Sequence, residues 1–350
     1  MTTQPWKRLS ALAAASLLSA GTIAACSGGT TDTAETGGET VAEGEVCAPE
    51  FETIEFGVLS TESQENLETE WEPFLADMSD ALGREVTGFY ATDYAGIIEG
   101  MGAGKVQAAW YGGKSYIEAA ARSNAEAFAQ SVETDGSKGY YSYLITNKEN
   151  PIVDEIDLEA GNGDEYVVEN AGDLTFAFND PNSTSGFLVP SYYVFAQNNV
   201  VPEEAFAELI FAGNHEATAL AVAENQVDVA TNNSDNLSRL EKTAPDALEK
   251  IQIIWTSPVI PSDPLAYRAD LPECLKEEIK DFAFNYDNEE VLAGLEWARL
   301  DPADDEIWDT VRELEYSKQL LEVQNDDTLS EAAKQEKLDE INQKLEEVQS

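Results

Sequence analysis

FAFNDPNSTSGFLVPSYYVF, residues Phe176 to Phe195, carries an apolar run that stops at Asp180-Pro181. Asn182, Ser183, Thr184 and Ser185 follow, then Gly186, and the chain turns apolar again at helical spacing. A strand feeding a helix in this way is the unit step of an α/β fold. A helix start leaves about four backbone N–H groups without intrahelical partners and carries partial positive charge. An anion placed there collects those groups, Ser and Thr hydroxyls donate further bonds, and Gly186 would let a ligand approach the backbone. An ordinary N-cap explains one such residue but not three hydroxyls in a row. The GxxxxGK[ST] lysine is missing, so a nucleotide P-loop is not supported.

The same alternation extends outward from this stretch. TIEFGVLS, 53 to 60, reads as a strand, and NLETEWEPFLADMSDALG places Leu67, Trp71, Phe74, Leu75, Met78 and Leu82 at helical spacing. EVTGFYAT and a helix from Tyr94, then VQAAWYG and a helix from Ser115 to about Arg122, continue it, followed by AFAQSVE and GYYSYLITN. The region from 147 to 173 reads as a linker. The pattern restarts at LTFAFND, with a helix from about Ser185 to Asn198, then ELIFAG, a helix from about His215, VDVATNN, a helix from Asp235 and KIQIIWTS. Two α/β units in this length match two lobes. The expected boundaries are a leader at 1–25, a tether at 26–46, lobe 1 at 47–145, lobe 2 at 146–262, a return to lobe 1 at 263–302 and helices at 303–350. In the last segment Leu338, Ile341, Leu345 and Val348 form a stripe that fits docking on the chain's own domain and homodimerisation equally.

The start of the chain places it outside the cytoplasm. Lys7 and Arg8 precede a short run of apolar and small residues ending at Ile23-Ala24-Ala25-Cys26, a pattern of export. Those last four residues resemble the lipobox of bacterial lipoproteins, which implies lipidation of Cys26 and a membrane anchor. The next twenty residues are mostly Gly, Thr and Glu and read as a flexible tether. Cys47 and Cys274 are left as an even pair, candidates for a disulfide in an oxidising compartment. The formal charge is −48, and without Lys7 and Arg8 the remainder has 18 basic and 68 acidic residues, or −50. Such a surface argues against nucleic acid or anionic lipid as a partner, and salt would shorten the reach of its self-repulsion. The single histidine, His215, cannot by itself form a metal site or a nucleophile–base set, and no cysteine cluster has metal spacing. No cofactor is expected, and no enzyme activity.

Four motifs together resemble the phosphonate-binding proteins of ABC importers. They are ATDYAGIIEGMGAGKVQAAWYG (91 to 112), DPNSTSGFLVPSYYVFAQNN (180 to 199), AGNHEATALAVAENQVDVATNNSDNL (212 to 237) and IIWTSPVIPSDPL (253 to 265), in family order. The resemblance runs from Thr53 to about Trp308. It implies the type II periplasmic-binding-protein fold, two α/β lobes joined by crossing strands that close on the ligand, with an ABC permease as partner. It further implies that Ser183, Thr184, Ser185 and His215 hold phosphonate oxygens, with Tyr94 and Tyr140 contributing hydroxyls; Tyr141 competes with Tyr140 for its position. Asp235 and Asp263 match positions where members taking aminoalkyl phosphonates carry acids, which makes 2-aminoethylphosphonate the expected ligand. Alkylphosphonate, phosphite or phosphate is the alternative, as is a module presenting ligand to a sensor. Lys114, in GGKS, departs from the uncharged residue expected there and reads as an exposed lysine.

Read without the family, each position has an ordinary explanation: a helix cap for His215, a wet-edge hydroxyl for the tyrosines, the helix dipole for Asp235 and a turn for Asp263.

Overall fold

The computed structural model describes residues 47–349. The leader, the lipobox with Cys26 and the tether up to residue 46 lie outside the described residues.

Strands β1 (Thr53–Val58), β2 (Glu85–Tyr90) and β3 (Ala108–Trp110) pair in parallel, with β1 in the middle. They are short and apolar because helices cover them. The helix Gln64–Leu82 buries Leu67, Trp71, Phe74, Leu75 and Met78, the residues whose spacing predicts it, and ends at Gly83 with φ +63°. Trp71 packs 5.5 Å from Phe56 of β1 and 5.2 Å from Trp110 of β3, ring centre to ring centre. Next comes β4 (Ala125–Glu133), and the chain then crosses to the second lobe through β5 (Gly139–Tyr140).

The second lobe repeats the plan. Strands β6 (Ser142–Asn147), β7 (Thr175–Phe178), β8 (Glu208–Phe211), β9 (Val229–Asn233) and β10 (Ile251–Thr256) form one sheet in the order β10-β6-β9-β7-β8, with β8, β7 and β9 parallel. The crossing therefore falls between 140 and 142, before the expected boundary at 145, because β6 pairs with β9 from Ser142 to Thr146. The stretch read as a linker is folded: Ile152, Ile156, Val167 and Ala171 join the aromatic core of Phe176, Phe178, Phe195 and Phe206. Its mixture of polar residues hid a few apolar contacts spaced too widely for a periodic signal.

The chain returns through β11 (Ile260–Pro261), which pairs with β5, then β12 (Pro264–Arg268) and β13 (Trp297–Pro302), completing the first sheet in the order β13-β4-β12-β3-β1-β2. Tyr140, Val189 and Ile260 pack together beside this crossing pair. The two lobes are in contact across the cleft. His215 N donates to Thr61 O at 2.9 Å, Ser63 N to Glu216 Oε2 at 2.7 Å and Ser238 Oγ to Glu296 Oε2 at 3.0 Å.

Two helices end the chain, Asp309–Asn325 and Glu331–Val348. They pack on one another, with Ile341 buried and Leu338, Leu345 and Val348 partly so. The stripe thus packs at least in part on the chain's own preceding helix.

Cys47 and Cys274 are bonded, with Cα atoms 6.0 Å apart and a sequence separation of 227. Closing so long a loop restricts the unfolded chain strongly. The double variant Cys47→Ser, Cys274→Ser should lose about 2–5 kcal/mol of stability, measured as a lower midpoint of urea unfolding.

Candidate functional site

The carboxyl end of β7 leads into the hydroxyl-rich turn, which is wound wider than an α-helix. Leu188 N reaches back to Ser183 O at 3.1 Å, a five-residue step, and a second π-helical turn covers Ser191–Phe195. The expected helix is present, wound as two wide turns joined through Val189 and Pro190, whose backbone stays helical. A proline lacks the N–H that an α-helix would use there, and wide turns often mark functional sites.

Ser183, Thr184 and Ser185 are all buried, and each hydroxyl oxygen already accepts a bond. Gly186 N donates to Ser183 Oγ at 3.0 Å, Lys114 N to Thr184 Oγ1 at 2.8 Å and Asn233 Nδ2 to Ser185 Oγ at 3.1 Å. A hydroxyl whose oxygen accepts from N–H keeps its own proton for another acceptor. The turn therefore has O–H groups to direct toward an anion, with His215 Nε2, 3.5 Å from Ser185 Oγ, as the acceptor near the third. Gly186 also has a reason in the fold. A Cβ there would lie 2.3 Å from Asn179 Cβ, so only glycine fits.

His215 begins the helix His215–Ala223, which Asn214 caps by accepting from Ala217 N at 2.8 Å. The histidine is thus not its own cap. Its Nε2 lies 3.2 Å from Asn233 Nδ2, which makes Nε2 an acceptor and assigns the proton to Nδ1, a buried atom with no partner. Burial, with the charge of Arg239 adding, pushes its pKa down to about 3, so it acts as a neutral donor.

Tyr94, the first residue of the helix Tyr94–Gly102, is buried beside Ser183 and Asp180. Tyr140 is buried beside Thr184 and Ser185, whereas Tyr141 is 41% exposed, so Tyr140 is the one of the two that lies against the turn. Burial raises both phenols, Asp180 adding to Tyr94 and Asp263 to Tyr140, so both keep their protons.

Asp235, in the first turn of the helix Ser234–Thr243, and Asp263, between β11 and β12, also face Tyr140. One oxygen of Asp263 is buried without a partner. A Cβ on Gly112 would stand 3.3 Å from Thr184 Oγ1 and 3.8 Å from Asp263 Oδ1. The hydroxyls and the acids thus belong to one small cleft. Burial raises the pKa of both acids; Asp235 adds to this at Asp263, while Arg239 opposes it at Asp235.

A third acid was not expected. Glu133, at the end of β4, receives a bond from Ser262 Oγ at 2.9 Å, and burial followed by the charge of Asp235 pushes its pKa up to about 8. Its only signal in the sequence was an acid closing the strand AFAQSVE, at the carboxyl end where ligands sit in α/β sheets. Arg239 is the nearby cation, but its guanidinium is directed to Glu62, at 3.5 Å, and Glu70, at 3.9 Å. Lys114 overturns its expectation: it is 5% exposed and its ammonium meets Glu315 at 3.2 Å and Glu118 at 3.4 Å. An ion-paired lysine lies inside because its partners do, which no local pattern reports.

Residues 56–308 match the family described as the periplasmic substrate-binding protein of the phosphonate ABC transporter. The phosphonates-binding periplasmic protein of Escherichia coli (strain K12) is 46% identical over 299 residues, covering 84% of this chain and 85% of the relative. A binding-protein component of an ABC phosphonate transporter from Pseudomonas aeruginosa superposes with a TM-score of 0.79 at 44% identity, covering 85% of this chain and 96% of that one. A Prochlorococcus marinus (MIT 9301) protein solved with methylphosphonate shares the fold, with a TM-score of 0.67 at 22% identity over 75% of this chain and 97% of that one. These relatives are binding proteins and not enzymes. The chain belongs to the phosphonate-binding family of periplasmic substrate-binding proteins that serve ABC transporters.

Proposed function

We propose that this protein captures an aminoalkyl phosphonate, 2-aminoethylphosphonate foremost, outside the cytoplasmic membrane and delivers it to an ABC permease, held at the membrane by a lipid on Cys26. The observation that carries this reading is the meeting of two kinds of group. Proton donors from Ser183, Thr184, Ser185, His215, Tyr94 and Tyr140 gather beside the carboxyl groups of Asp235, Asp263 and Glu133, and both aspartates act on Tyr140.

A carboxylate about 4 Å from a phosphonate costs about 4 kcal/mol at an effective dielectric of ~20. Acids so placed make sense when the far end of the ligand is a cation. Bonds from O–H and N–H donors to phosphonate oxygens are charge-assisted, and lobe contact excludes water from them. The same donors fit phosphite, phosphate and methylphosphonate at the oxygen end, so the acids are what separates these ligands. A competitive calorimetric titration with 2-aminoethylphosphonate, methylphosphonate, phosphite and phosphate tests the proposal directly. Methylphosphonate binding as tightly as the amine would overturn the choice of ligand.

Asp235→Asn should weaken 2-aminoethylphosphonate by about 2 kcal/mol, roughly thirtyfold, because a bond to a charged group is lost. Methylphosphonate should be nearly unaffected; equal losses for the two ligands would remove the ammonium role. Thr184→Ala should weaken every phosphonate about tenfold or more, and unchanged affinities would reduce the turn to a helix cap.

Glu133 supplies a pH test. Its raised pKa means that it holds a proton at neutral pH without ligand, and an ammonium nearby would lower that pKa. Binding 2-aminoethylphosphonate at pH 7 should therefore release protons, and affinity should rise with pH until about 8. Calorimetry in buffers of different ionisation enthalpy reads the proton count, and Glu133→Gln should remove this component. An identical count in the variant would place Glu133 outside the ammonium's field.

A further inference from the structure

The start of the helix Gly113–Ser123 is clasped between the ligand site and the C-terminal helix. On one side Lys114 N donates to Thr184 Oγ1 at 2.8 Å. On the other, a Cβ on Gly113 would come within 3.0 Å of Val311 and 3.2 Å of Trp308. The Lys114 side chain continues along that second side to Glu315, itself 8% exposed and bonded through its other oxygen to Gln319 at 2.7 Å.

An ammonium in this place is disfavoured twice. Burial removes its water, and it sits in the first turn of a helix, where the dipole favours anions. Its two carboxylate partners offset both effects. Removing Glu315 would leave Lys114 to seek water, and its backbone would move with it. That backbone carries the N–H that meets Thr184. As the second residue of the helix, Lys114 has no intrahelical acceptor for this N–H, so Thr184 is its partner.

The helix Asp309–Asn325 also touches the second lobe. Leu314 packs against Tyr140, Val189 and Ile260, and Lys318 lies 5.7 Å over the Phe187 ring. Asn325 Nδ2 donates to Asn199 Oδ1 at 2.8 Å.

We infer that Lys114 and Glu315 are positioning residues of the ligand site: their ion pair makes the C-terminal helix a brace that holds the Lys114 amide against Thr184 and so sets affinity for the oxygen end of the ligand. Neither side chain touches the ligand; both act through that amide. The ligand in this inference rests on the function proposed above, whereas the brace rests on geometry alone.

The test compares wild type with Lys114→Met, Glu315→Gln and the uncharged double variant Lys114→Met, Glu315→Met. In the ligand-free proteins, hydrogen exchange by NMR is followed at the amide of residue 114. Each variant should lose protection there while amides deeper in the same helix keep theirs. Calorimetry should find methylphosphonate and 2-aminoethylphosphonate weakened alike, by about tenfold, with the double variant no worse than the weaker single one because the pair acts as a unit. A lower melting temperature with unchanged exchange and unchanged affinity would overturn the inference and leave a purely structural pair. Should a single variant fail to fold, the double variant, which buries no unpaired charge, decides by the same readings. If wild type binds no phosphonate, the functional reading fails, and exchange at residue 114 still decides the brace.

Discussion

One bond, from the Lys114 backbone N–H to the Thr184 hydroxyl, joins the two lobes where their functional ends meet. It uses an N–H that a helix start cannot satisfy internally and a hydroxyl that must point its own proton elsewhere. Much of the site follows from it. Gly112 and Gly113 suit this place because a Cβ would press on Thr184 at the first and on Val311 and Trp308 at the second. The wide turn at Thr184–Leu188, with its cap Ser183, presents three hydroxyls in sequence, each with its oxygen engaged. Bonds of the same kind, His215 N to Thr61 O and Ser63 N to Glu216, repeat the device along the cleft.

The site manages charge in an unusual way for a protein that binds anions within a chain of net charge −48. The two buried cations nearby are already paired, Arg239 with Glu62 and Glu70 and Lys114 with Glu315 and Glu118. In the proposed site uncharged donors would hold the anion, helped by burial that keeps His215 neutral and the tyrosines protonated. In a low-dielectric cleft such donors grip an anion strongly without attracting every passing one. Glu133, Asp235 and Asp263 crowd together beside these donors, and burial pushes all three pKa values up. An acidic chain can therefore bind an anion because the local field, not the total charge, governs the site.

Much of this was legible in the residue order. The spacing of Leu67, Trp71, Phe74, Leu75 and Met78 predicts the helix that buries them, and the run Asn182 to Gly186 announces a helix start rich in donors. What escaped were features whose cause lies far along the chain. Glu133 looks like any strand-end acid until Ser262 and Asp235 close around it. Lys114 looks exposed until Glu315, two hundred residues on, covers it. Residues 147–173 look like a linker because their few apolar contacts follow no period.

By itself the sequence determined the alternation of strands and helices, the caps and the identity of the donor turn, because these depend on neighbours within a few residues. The tertiary structure alone decided which tyrosine of the pair at 140 and 141 turns inward, that the C-terminal stripe packs on its own chain and that Lys114 lies buried. It also brought three acids, distant in sequence, together in a single cleft. Such outcomes turn on desolvation and pairing between remote groups, and those energies exist only once the lobes have packed.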